Sequence, residues 1–310
     1  ALKIINLAPI MKKLLKIPPV LVVFTVCAIA YVPLFAQKDW KMNTGIPEIS
    51  LRENEQELAN RLNGGYEQIY STGFISLGGY PKIRFKHGEH SFMLPDNSHV
   101  LASSQEGNGW GVTSIEVDAE FYRSDRPDKH LQARKKFLGL LRELQAKGWK
   151  RYYYPGGARM ADKIDIFQGG EYAYIDYEPS EQEWLNVFTQ GLESLSYELY
   201  ADGVILSISL NADSNEYWQG YSIYKISMEF DALEYKFQDY SGVYKRDNDD
   251  RFIPAKWLPM VEEVLQSNDK YRMEEERKLK RQGIKIDESY QDPLPKIYTD
   301  YLKNKGKNTD

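Results

Sequence analysis

The residues of this chain best suited to chemistry are few, and most are carboxylates. Glu116, Asp118 and Glu120 alternate with Ile115, Val117, Ala119 and Phe121 within the stretch Gly111–Tyr122, where Tyr122 continues the polar line. Successive side chains of a strand point to opposite faces, so the three acids fall on one line, about 6.6–6.8 Å apart along the backbone. That is too far for two carboxylates to share a proton, which argues against paired acid–base work. A row of like charges suits a solvated face or contact with a basic partner. Tyr152, Tyr153 and Tyr154 follow one another in a second strand-like stretch, so at least one ring must leave the core. Tyrosine joins contact area to a hydrogen-bonding tip at small entropic cost. Glu116, Asp118, Glu120, Tyr152 and Tyr154 are therefore the expected partner-binding residues.

Other constellations fall short of a site. His87-Gly88-Glu89-His90 offers two imidazoles, but zinc needs three or four converging ligands and Gly88 argues against a shared helical face. Asn211-Ala212-Asp213-Ser214-Asn215-Glu216 begins like a calcium loop, yet has Glu216 where glycine belongs and Ser222 at the twelfth place. Asp247-Asn248-Asp249-Asp250 reads as solvated surface. Gly78-Gly79 and Gly156-Gly157 lack phosphate-cradling spacing, and no Gly-x-Ser-x-Gly elbow occurs. Asp162, Asp165, Asp176 and Glu178 are the acids from which a glycan-cleaving pair would be drawn, its two carboxylates roughly 5–10 Å apart across a cleft. The expectation is a protein without catalytic residues, metal or cofactor.

The elements that must position these residues are mixed. Ser50 with Glu53 has the form of a capping box before Leu51, Leu58 and Leu62, and Asn63-Gly64-Gly65 ends that helix. Short strands follow at 74–77, 82–85 and 91–94. A helix runs to about Lys147 with Ala133, Phe137, Leu140, Leu141 and Leu144 inward, and Gly148 stops it. Strands are expected at 149–154 and 172–177. Ser180 and Glu183 cap a helix carrying Trp184, Leu185, Phe188 and Leu192. Asp202-Gly203 supplies the positive φ angles of a two-residue hairpin turn between 197–201 and 204–210. Tyr224, Ile226, Met228 and Phe230 alternate inward in a last strand. The fold class is α+β: an antiparallel sheet covered by two or three helices, with a long charged C-terminal helix from Trp257 toward Arg281 and a loose tail after Lys303.

Residues 1–36 contain four lysines and no acid, an apolar run from Val20 to Ala30, and small residues before two cleavage points, after Ala30 and after Ala36. These are features of a secretory signal, with Met11 as a candidate start. Membrane anchoring through residues 17–35 is the alternative. The division is a signal or anchor over 1–36, an α+β domain over 37–246 and a charged helical extension over 247–310. The sole cysteine, Cys27, lies in the leader, so the remainder is thiol-free and suited to the oxidising periplasm. The 310 residues carry 40 bases against 45 acids, and without the leader acids exceed bases by nine. That balance excludes a general nucleic-acid binder. Apolar residues at 42% and 23 tyrosines mark a folded, tyrosine-rich body.

The run from Phe137 to Pro155, Phe-Leu-Gly-Leu-Leu-Arg-Glu-Leu-Gln-Ala-Lys-Gly-Trp-Lys-Arg-Tyr-Tyr-Tyr-Pro, resembles a segment of small exported immunity proteins of Gram-negative bacteria. These neutralise antibacterial toxins delivered by contact-dependent or type VI secretion systems. The likeness spans about 20 of 310 residues and carries over no binding residue. It implies a periplasmic protein that grips a protein effector and has no chemistry of its own. The alternative is an envelope protein that binds or cleaves glycan or peptidoglycan. A structural protein pairing through its C-terminal helix is a third possibility.

Overall fold

The computed structural model describes residues 46–62, 65–69, 72–77, 82–105, 109–161, 172–189, 194–213, 222–242 and 253–307. The leader, Asp162, Asp165 and the 247–250 run lie outside them. The chain opens with β1 (Glu48–Ile49) and α1 (Glu55–Leu62), then β2 (Gly65–Ile69), β3 (Thr72–Leu77), β4 (Arg84–Phe85), β5 (Phe92–Met93), β6 (His99–Gln105) and β7 (Val112–Ser124). α2 (Lys129–Ala146), β8 (Lys150–Arg151), β9 (Tyr172–Ala173), α3 (Glu181–Thr189), β10 (Ser194–Ala201), β11 (Val204–Asp213) and β12 (Ser222–Ala232) follow. α4 (Leu233–Tyr240), α5 (Pro254–Arg281) and α6 (Lys296–Lys307) close it.

The fold is α+β, as the patterning implies. A nine-stranded sheet has the order β2-β3-β6-β7-β12-β11-β10-β8, with β9 also on β10; β1, β4 and β5 form a second, small sheet. The large sheet is antiparallel except where β9 runs parallel to β10. The hairpin forms where Asp202-Gly203 places it, with φ of +38° and +80° and Ala201 opposite Val204.

Alternation decides what each face meets. Val117, Leu206, Met228 and Phe230 point to one side and are buried beneath α2, α3 and the small sheet. Phe137 of α2 and Trp184 of α3 pack there against Phe121, Tyr197 and Tyr224. Ile205 points to the other side, into a second core built by Leu233 and Phe237 of α4, Trp257, Leu258 and Val261 of α5, and Tyr298 of α6. Gly45–Asp310 forms one compact unit. The second core covers only one end of this second face. Beyond it Glu116 is exposed, and Ser207, Ser209 and Glu229 are half-buried.

Several expectations need correction. α1 is capped by Asn54 rather than Ser50: the Asn54 Oδ1 accepts the Glu57 N–H at 3.0 Å. The chain cannot enter the helix earlier, because Arg52 and Glu53 bond through their backbones to Val112 at 2.7 and 2.8 Å. The Glu53 carboxylate turns instead to Arg61. Asn54→Ala is expected to cost about 1 kcal/mol, read as a lower urea midpoint with unchanged slope. Tyr122 does not continue the outward line: the β7–β12 register shifts at Tyr224/Lys225, and the bulge turns Tyr122 against the main core. The 149–154 strand is regular only at Lys150 and Arg151, with one further backbone bond from the Tyr152 N–H to Glu198, and the 172–177 strand breaks at a turn closed by Tyr177 N–H to Tyr174. The tail past Lys303 stays helical to Lys307, with Lys305 paired to Glu262 at 2.7 Å. The Ser180–Glu183 box forms reciprocally, at 2.6 and 3.3 Å. Among the described residues no helix is long and apolar enough to cross a membrane.

Candidate functional site: the open face of the sheet

The open face gathers acids from neighbouring strands into one patch. Glu116 on β7 stands opposite Glu229 on β12, Glu229 is opposite Ser207 on β11, and Ser207 is opposite Glu198 on β10. One row across four strands therefore reads Glu-Glu-Ser-Glu. Asp118 lies in the row on one side, opposite Ser227, and Asp231 in the row on the other, opposite Ser114 but fully buried beside the second core. Directly opposed side chains approach to about 5 Å, where like charges destabilise a sheet.

The neighbours offset part of that repulsion. The Lys236 ammonium reaches in from α4, 2.7 Å from Asp231 and 3.7 Å from Glu229. The two carboxylates raise its pKa well above the usual lysine range despite its burial. Burial pushes the Asp231 carboxyl up, and Lys236 draws it back. Glu198 is pushed up to about 7, first by burial and then by Glu229 and Asp231, against the Ser207 hydroxyl and Lys236. That hydroxyl donates to Glu198 at 2.9 Å. Burial also raises Glu116, with Glu229 and Asp118 adding repulsion.

The expected partner-binding residues divide on this framework. Glu116, Asp118 and Glu120 do face outward together. Asp118 accepts from the Ser227 hydroxyl at 2.6 Å, and Glu120 pairs with Arg123. Tyr154 is 50% exposed, its ring 5.9 Å from that of Tyr240 at the rim. Tyr152 is not a surface residue. It is buried in the second core, its hydroxyl 3.0 Å from that of Tyr240. The two tyrosines are two apart, and the chain leaves the sheet between them. Sequence reasoning missed Glu198, Glu229, Asp231 and Lys236. The alternation of Ser196, Glu198 and Tyr200 against Leu195, Tyr197 and Leu199 carried the signal for Glu198, but naming the row required the β7–β12 pairing.

The two histidines of the 87–90 turn bond to backbone carbonyls. His87 Nε2 donates to the Ala201 carbonyl at 3.0 Å and His90 Nδ1 to that of Lys147 at 2.5 Å. Burial lowers the His87 pKa and favours its neutral form. Gly148, at φ +84°, lies so close to His90 that a Cβ would meet its ring at 3.0 Å. Among the described residues no three metal-ligating side chains converge. Asp176 and Glu178 are each held by an arginine: Arg151 grips Asp176 at 2.6 Å through two nitrogens, and Arg142 holds Glu178 below the usual carboxylate range. A cleft of about 920 Å³ lies along β8, lined by Arg151, Tyr153, Asp287, Tyr290 and Pro293 among others.

Comparison of the chain with family models, with curated proteins and with solved structures gives no match.

Proposed function

We propose that this is an exported, non-enzymatic binding protein that docks a basic surface of a protein effector on the acidic open face and so neutralises it in the cell envelope. The observation that carries the reading is the face-to-face placement of Glu116 and Glu229, flanked by Glu198 and Asp118. Such crowding costs the free protein stability and is relieved when a cationic surface arrives. Complementary charge also steers encounter and sets register more than it adds raw affinity. Tyr154 at the rim offers the aromatic contact that binding hot spots favour. Export rests on the lysine-fronted apolar leader, and the effector on the resemblance around Phe137–Pro155.

Capture of partners from a cell-envelope fraction, followed by association kinetics at low salt, tests this. Glu116→Lys with Glu229→Lys is expected to slow association with the captured effector by about tenfold or more, and added salt to shrink the difference. Equal rates at low salt would remove the acidic face from the account. Turnover of a glycan by the purified protein would replace binding by catalysis.

A further inference from the structure

β8 forms the outer edge of the large sheet and opens into the cleft. Register fixes which of its backbone groups face outward. Lys150 lies opposite Tyr200 and Arg151 opposite Leu199, and the Tyr152 N–H donates to the Glu198 carbonyl at 2.9 Å. Bonded and non-bonded pairs alternate along an antiparallel ladder. Lys150 and Tyr152 therefore turn their backbone groups to β10, and Arg151 turns its N–H and C=O away, toward the cleft. Among the described residues no backbone group meets either of them. One step on, the Tyr153 N–H points the same way and donates to the Tyr290 hydroxyl at 3.2 Å. A side-chain oxygen stands where the carbonyl of a next strand would stand.

The cleft straddles this edge. Lys150 and Tyr200 line it from one face of the sheet, and Arg151 and Tyr153 from the other. An added strand sends its side chains alternately to both faces, so such a groove suits a strand better than a flat ring. Charge narrows the occupant further. Asp287 lines the Arg151 side, and the exposed Lys150 lines the other.

We propose that the β8 edge binds an extended segment of a partner polypeptide by strand addition, main chain to Arg151, with a basic side chain toward Asp287 and an acidic one toward Lys150. Main-chain bonds supply affinity in this mode and the alternate side chains supply specificity. The site is separate from the acidic face and stands or falls without it.

Selection of a displayed random heptapeptide library on the full chain, followed by hydrogen–deuterium exchange, tests the proposal. Recovered peptides are expected to place basic and acidic residues an odd number of positions apart, and to slow exchange of the Arg151 amide by about tenfold or more while leaving β7 unchanged. Tyr290→Phe, which frees the Tyr153 N–H, is expected to tighten that binding severalfold. Glu116→Lys is expected to leave it unaltered, which separates failure here from failure of the acidic face. Recovery of no peptide, or of peptides that leave Arg151 exchanging at its free rate, overturns the proposal. Protection of the same amide by chitotriose alone gives the groove to a saccharide and overturns it equally.

Discussion

Arg272→Leu is expected to lower the unfolding free energy by about 3 kcal/mol, the range for removing one partner of a buried ion pair. The Arg272 side chain is 6% exposed and lies 2.5 Å from Asp292. Its guanidinium also donates to the carbonyls of Gly157 and Tyr154, at 2.8 and 3.1 Å. Leucine would leave one carboxylate without its cation and two carbonyls without their donor. The consequence reaches both candidate surfaces, because the 154–157 turn carries Tyr154 and the segment around Asp292 carries Tyr290. Arg272→Lys is expected to recover only part of the loss, since a point charge cannot hold a carboxylate and two carbonyls as the planar fork does. Urea unfolding of both variants, followed by tyrosine near-ultraviolet circular dichroism, reads the effect. A loss under about 1 kcal/mol for the leucine variant, the range of an exposed pair, would mean that Arg159 and Glu276, paired at 2.8 Å, hold the two segments by themselves.

That arginine also marks where reading the sequence runs out. The Trp257, Leu258 and Val261 stripe at the start of α5 was legible, because apolar residues at helical spacing need a core. Arg272 and Glu276 were not: they sit in a charged run that reads as solvated helix, yet both are buried. Their burial depends on partners more than a hundred residues away for Glu276, and on two distant carbonyls and Asp292 for Arg272. The outward row Glu116, Asp118, Glu120 was legible because a period of two survives without knowledge of neighbours. Its extension to Glu229 and Glu198 was not, since register between distant strands leaves no local signature. The same limit explains Tyr122, whose face is reversed by a bulge that only the β7–β12 pairing creates. At Ser50 a capping pattern lost to Asn54 because the tertiary bonds of Arg52 and Glu53 to Val112 keep the chain out of helix.

Glu198→Gln is expected to stabilise the protein at pH 8 and to leave it unchanged near pH 4.5. An ordinary glutamate titrates near 4.5, and this one is pushed up to about 7. The folded state thus holds the Glu198 proton more tightly than the unfolded state does. The stability this adds is complete below pH 4.5 and is lost as pH rises through 7, in total up to about 3 kcal/mol. Glutamine keeps an acceptor for the Ser207 hydroxyl and never ionises, so the difference between parent and variant should open across that window. Denaturation midpoints at pH 4.5, 6 and 8 measure it, and a gap that is the same at every pH would show that burial does not tune this group. The same proton bears on binding. A cationic surface favours the ionised form, so docking near pH 6 must expel the proton and docking at pH 8 need not. Affinity of the parent for a basic effector should therefore rise from pH 6 to 8, and that of the glutamine variant should lack this rise. A basic partner whose affinity for the parent is flat across this range does not sit over Glu198, whatever its dependence on Glu116.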